Sequence, residues 1–229
     1  ASNDAELAMF YYKRAQTANH LGRQTQALAD YQKAAELFEL SNNNEMAASA
    51  VEFAAYLISY LGNYSDSIKG IRKAITLIRP DWQDEIVVLR IVLAGMAAEG
   101  GDFSLAEQEL EDLRPMLREV QSWRDIPHRF RTVMETLHST ARAMVLANRG
   151  KLDEAEALMR GAVKRWEPFK DTAAKTIDSK LAARTYVWYL RHLSLILIAQ
   201  GRYVEAEVTA REGLLLMLSD YGRYSSYVA

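Results

Sequence analysis

The chain contains no cysteine, which excludes disulfides, thiolate nucleophiles and Cys-ligated zinc or iron–sulfur centres. That absence fits reducing and oxidising compartments equally, so localisation stays open. Proline and glycine are scarce, 4 and 11 of 229 residues, and few positions can therefore break a helix. Neither sign of charge is in excess: 28 Lys and Arg stand against 30 Asp and Glu, a formal charge of -2. Such a balance lacks the footprint of a nucleic-acid binder, which carries excess Lys and Arg. Long apolar runs are missing too. One such uncharged run, Leu193 to Gly201, is about half of what crossing a bilayer requires, and no uncharged run reaches the full span, so no membrane-spanning helix is expected. The start, ASNDAE, has no initiator Met and no basic-then-apolar leader, and is read as that of a mature form or an excised piece.

What remains is rich in Ala, Leu, Glu, Arg and Gln, the strong helix formers, and its 49% hydrophobic residues suffice for a sizeable core. An all-α fold is the expectation. Five glycines, Gly22, Gly62, Gly101, Gly150 and Gly201, bring the chain into register with itself: GRQTQALADYQKAA, GKLDEAEALMRGAV and GRYVEAEVTAREGL begin at three of them. Small side chains recur seven before (Ala15, Ala55, Ala94, Ala143, Ser194), five after (Ala27, Ser67, Ala106, Ala155, Ala206) and twelve after (Ala34, Ala74, Leu113, Ala162, Gly213). Fourteen of these fifteen are Ala, Ser or Gly, and small residues at matching heights let two antiparallel helices approach closely. Bulky partners stand nine after each glycine, Tyr31, Ile71, Leu110 and Met159, with Ala210 an exception.

Three residues after the glycines stand Thr25, Ser65, Ser104, Asp153 and Val204; four of them carry oxygen and are read as helix N-caps. Ser104 with Glu107, and Asp153 with Glu156, have the spacing of a capping box. Helices are expected at about 4–20, 25–40, 44–61, 65–78, 84–99, 104–121, 127–148, 153–168, 174–200 and 204–219. Breakers lie between pairs: SNNNE at 41–45, RPDW at 79–82, DIP at 125–127 and EPFKD at 167–171.

This pattern resembles the tetratricopeptide repeat along almost the whole chain. The glycines are 40, 39, 49 and 51 residues apart, longer than the 34-residue unit of that family, and so more similar to the long-unit repeats of bacterial regulatory proteins. The resemblance implies one right-handed α-solenoid of five antiparallel hairpins (about 4–40, 44–80, 84–121, 127–169 and 174–219). Residues 220–229 would then begin a further helix or fold back as a cap.

The resemblance also implies that the first helix of each hairpin lines a concave groove. Counting ten, six and three before each glycine projects onto it Tyr12, Gln16 and Asn19; Glu52, Tyr56 and Ser59; Ile91, Gly95 and Ala98; Thr140, Met144 and Ala147; Arg191, Leu195 and Ile198. That face is polar and aromatic in its first two units and largely apolar afterwards. It is expected to take a protein or peptide, though Leu195 and Ile198 could equally be core between repeats. A second candidate is a basic stripe, His128, Arg131, His138 and Arg142 with Glu135 among them, recurring at three- and four-residue steps on one helix. It is a solvated face, a dock for an acidic partner, or a partner for the acidic segment at 107–119.

No catalytic residue, cofactor site or metal site is assigned. None of the four histidines has a histidine at i+4, and no phosphate-cradling glycine loop or nucleophile elbow is present. The expected role is a non-catalytic binding scaffold. The alternatives are the regulatory repeats of a larger bacterial enzyme, because GRYVEAEVTAREGL followed by DYGRYSSY is similar to repeat arrays that precede CHAT peptidase domains, or a peptide-sensing regulator.

Overall fold

The computed structural model describes residues 2–122, 128–170 and 177–221, with side chains over 4–118, 132–168 and 185–219. Its ten helices are α1 (Ser2–His20), α2 (Gln24–Leu40), α3 (Asn44–Tyr60), α4 (Tyr64–Leu77), α5 (Gln83–Glu99), α6 (Phe103–Ser122), α7 (His128–Asn148), α8 (Leu152–Lys170), α9 (Ile177–Ala199) and α10 (Tyr203–Tyr221). No strand occurs among the described residues. Every helix that the glycine register predicts is present; the expected starts at 127 and 174 lie outside the described residues, and the other ends are displaced by at most two residues.

One turn recurs at all five glycines. At Gly150 φ is +75°, a left-handed conformation in which a Cβ would be strained. The amide of Gly150 donates to the carbonyl of Ala147, and that of Lys151 to Leu146, each at 3.0 Å. This crossed pair satisfies the last carbonyls of α7. The carbonyl of Lys151 in turn accepts the first bond of α8, from the amide of Ala155 at 3.0 Å. The residue after the glycine is therefore the N-cap, and the next helix starts two residues after the glycine. Asn42 takes the same left-handed place between α2 and α3, with φ +56°, and Asn43 caps α3 through its side chain.

That geometry corrects the cap assignment. The N-cap position is the residue directly after each glycine, and two of these cap through their side chains: Asn63 accepts from the amide of Asp66 and Asp102 from that of Leu105. Thr25, Ser65, Ser104 and Asp153 already lie inside the first turn, exposed. The glycine completes the chain reversal by itself, so no loop is left to place a cap two residues later. A second correction concerns Pro168, read as part of a breaker; α8 continues through it to Lys170. Proline there removes only a bond to the carbonyl of Lys164, an exposed residue whose carbonyl water can serve.

The small residues sit where the hairpins close. Ala15 and Ala27, Ala55 and Ser67, Ala94 and Ala106, and Ala143 and Ala155 are all fully buried, and Ser194 and Ala206 nearly so. The chain divides into two compact units, residues 1–120 and 121–229. In the first, α1 packs on α2, α2 on α3, α3 on α4 and α4 on α5. Arg90 of α5 reaches Glu109 of α6 at 2.8 Å. An aromatic cluster fills the first core: Tyr31 stacks on Phe53 at 5.4 Å, and Tyr12 meets Tyr31 edge-on at 5.6 Å. In the second unit α7 packs on α8, α8 on α9 and α9 on α10, around Met159, Trp166, Tyr189, Leu193 and Leu197. Each large side chain buried this way contributes roughly 1.5–3 kcal/mol of transfer free energy.

Candidate binding faces

The projected groove residues lie on α1, α3, α5, α7 and α9, and the structure sorts them by burial. Tyr12 is buried and donates to or accepts from the Ser49 hydroxyl at 2.8 Å. Ser59 is buried and donates to the carbonyl of Tyr56. Thr140 is fully buried and donates to the carbonyl of Thr136 on its own helix. Ile91, Gly95 and Ala98 of α5 are buried as well. These side chains pack helices together and offer little to a partner.

In the first unit, Gln16 and Asn19 of α1 and Glu52 and Tyr56 of α3 reach the surface, all partly exposed. Glu52 has the unusual chemistry. Burial pushes its carboxyl up, the Tyr56 hydrogen bond pulls it down, and the like charge of Glu85 on α5 pushes it up again, to about 7. Burial also raises the Tyr12 hydroxyl, with Glu52 adding to the shift. A carboxyl poised near neutrality beside two tyrosines can donate or accept a hydrogen bond as pH changes.

In the second unit, Met144 and Ala147 of α7 are partly exposed, while Arg191, Leu195 and Ile198 of α9 are exposed. Leu195 and Ile198 each keep 48% of their surface. Neither is core between repeats in this structure. The helices α7 and α9 are in contact in this unit. On α9 itself, Arg191, Leu195 and Ile198 follow at four- and three-residue steps, so one face carries two exposed aliphatic side chains and a guanidinium.

Of the basic stripe, His128 and Arg131 belong to α7, but their side chains lie outside the described residues. His138 is partly exposed and Arg142 exposed. Glu135 on the same helix takes Arg165 of α8 as an ion-pair partner at 3.7 Å. The acidic segment of α6 has its own cation: Arg90 holds both Glu109 and Asp112.

A groove of about 440 Å³ that the first-helix projection did not single out runs between α2 and α4, floored by Val51, Ala54 and Ile58 of α3. Lys73 bridges it to Glu39 at 2.6 Å. The signal was Gly70, whose missing Cβ lets α4 meet Ala55 of α3. Among the described residues no cluster of three or more His, Asp or Glu could hold a metal ion, and no helix is long and apolar enough to cross a membrane.

The tetratricopeptide repeat family model matches at residues 137–160 and 187–212, the segments centred on Gly150 and Gly201. Solved structures extend the likeness to nearly the whole chain. The nearly identical TPR-like repeats of a Podosopora anserina chain named for the kinesin light chain align at 12% identity, over 94% of this chain and 97% of that one, with a TM-score of 0.51. A point variant of those repeats aligns with a TM-score of 0.52 at the same identity, over 94% and 96%. BtubC (BKLC) from P. vanneervenii aligns at 11% identity over 97% and 93%, with a TM-score of 0.53. At such identities the likeness speaks for the fold, an array of TPR-like helix hairpins. No curated protein sequence matches the chain.

Proposed function

We propose that this chain, which carries tetratricopeptide repeats, is a non-catalytic scaffold that binds a protein or peptide on the faces of its first helices. Repeats of this kind generally mediate protein–protein interactions. The observation that carries the reading is the exposed pair Leu195 and Ile198 on α9. Two large aliphatic side chains left in water on otherwise well-buried helices are what an apolar anchor of a partner would cover. Meanwhile the residues that pack the hairpins are nearly uniform, and those on the first-helix faces change chemistry from one hairpin to the next. Uniform packing keeps the surface preformed, which lowers the ordering cost of binding, and variable faces set the specificity.

The test is a comparative pull-down read by quantitative mass spectrometry. The wild-type chain is compared with Leu195→Ser/Ile198→Ser and with Tyr56→Ala, each checked for native helicity. The expected result is loss of the specific partners from the Leu195/Ile198 variant. An unchanged partner set from both folded variants would sink the first-helix model.

A further inference from the structure

The five second helices supply an internal control for one another. Positions three, seven and fourteen after the glycine fall on the face turned away from the preceding helix. They are exposed in every hairpin. In the first these are Thr25, Ala29 and Glu36, and in the fourth Asp153, Ala157 and Lys164; the second and third hairpins also place no Val, Ile, Leu or aromatic residue there. On α10 the same positions are Val204, Val208 and Leu215, which keep 77%, 65% and 61% of their surface. The opposite side of α10 carries Ala206, Gly213 and Met217, which are buried; a Cβ on Gly213 would touch Val187 and Leu190 of α9. The aliphatic stripe is therefore not a packing face of its own hairpin. It departs from the other four, where these exposed positions hold polar residues, alanine or proline and no large aliphatic side chain.

We propose that this outward face of α10 docks antiparallel against the same face of a second copy of the chain, about a twofold axis near residue 209. The charges select this occupant. Glu207 and Arg211 flank the stripe and pair with each other at 2.6 Å, both 67% exposed. They lie at equal distances on either side of residue 209. An antiparallel copy sets Glu207 against Arg211 of the partner subunit and Arg211 against Glu207 of the partner subunit. Val204 then meets Leu214 and Leu215 of the partner subunit, and Val208 lies next to the axis. A parallel arrangement would align like charges instead. An isologous contact of this kind closes after two copies and leaves no stripe exposed.

One helix face buries less than the roughly 800 Å² per partner of a standard interface, so the association is weak and concentration-dependent. The test is sedimentation velocity of the whole chain over a wide concentration series. The wild type is expected to shift from monomer to dimer as concentration rises. Val208→Asp is expected to weaken the association at least about tenfold, with its circular dichroism unchanged because the side chain is exposed. Arg211→Glu alone weakens association, and the double exchange Glu207→Arg/Arg211→Glu restores it. A wild type that stays monomeric throughout overturns the proposal and leaves the stripe to a different protein. Dimerisation that survives Val208→Asp places the contact elsewhere, and failure of the double exchange to restore what the single change removed refutes the antiparallel register.

Discussion

Arg202 donates to Glu156 at 2.7 Å, joining the turn before α10 to the first turns of α8, one hairpin earlier. Burial alone would push the Glu156 carboxyl up, but hydrogen bonds from Gln200, Arg160 and Arg202 outweigh it and hold it at about 2. Glu156 is mostly buried and both guanidiniums are partly in water, so solvent screens the pair. Glu156→Gln is expected to destabilise the chain by about 1–2 kcal/mol at pH 7. The contribution is present above the ordinary carboxyl value of 4.5. It is lost as pH falls through the folded value. Urea titrations of both proteins at pH 7, 5 and 3 check this: the gap between their midpoints should narrow as pH falls.

Two helix glycines behave oppositely. A Cβ on Gly70 would lie 2.9 Å from the Cβ of Ala55, itself tied to backbone, so α4 would have to move away from α3. Gly70→Ala is expected to cost about 1–3 kcal/mol. Gly95 is buried in α5, yet its added Cβ meets nothing within 4 Å. Gly95→Ala should stabilise by about 0.5–1 kcal/mol, mostly by restricting the unfolded chain. Thermal melts of the two variants should shift in opposite directions from the wild type.

The buried hydroxyl of Tyr189 donates to Thr136 Oγ1 at 2.9 Å, tying α9 to α7. Thr136 already donates to backbone carbonyls of its own helix, so it acts as the acceptor here. Burial pushes the Tyr189 hydroxyl up, which keeps it protonated. Tyr189→Phe keeps the edge contact with Trp166 at 5.9 Å but strands an acceptor, at a cost of about 1 kcal/mol. A denaturant midpoint that does not change would show that Thr136 finds another donor.

The helices were legible because their signal is local and repeated. Glycine, a small residue five on and a small residue seven back define a turn and its closest approach, and all five copies fold that way. The capping chemistry was not legible. Oxygen-bearing residues stand at the right spacing for a box, but the left-handed glycine starts the helix earlier than a box allows, and Glu156 turns instead to Arg202 of the next hairpin. That partner is 46 residues away and no periodicity reveals it. Counting back from each glycine could not separate Tyr12, Thr140 and Ile91, which neighbouring elements cover, from Tyr56, Leu195 and Ile198, which they leave wholly or partly open. Burial at a given helix position is decided by what packs against it, and that depends on side chains from other hairpins. The stripe on α10 was present in the repeat alignment as Val204, and became meaningful only once the same position proved exposed in the other four hairpins.

Glu52 makes the fold sensitive to pH in the opposite sense to Glu156. Its folded carboxyl, pushed up by burial and by Glu85 against the pull of Tyr56, titrates near 7, whereas the ordinary value is 4.5. The folded state therefore holds a proton that the unfolded chain has released, and stability must fall as pH rises between those two values. Glu52→Gln keeps the shape and a hydrogen-bonding group but has no proton to lose. At pH 8 the variant should be more stable than the wild type by about 2 kcal/mol, and at pH 4 the two should be equal. Unfolding midpoints measured at both pH values separate this from a packing effect, because better packing by glutamine would stabilise equally at each, whereas removal of a poorly solvated negative charge acts only where that charge exists.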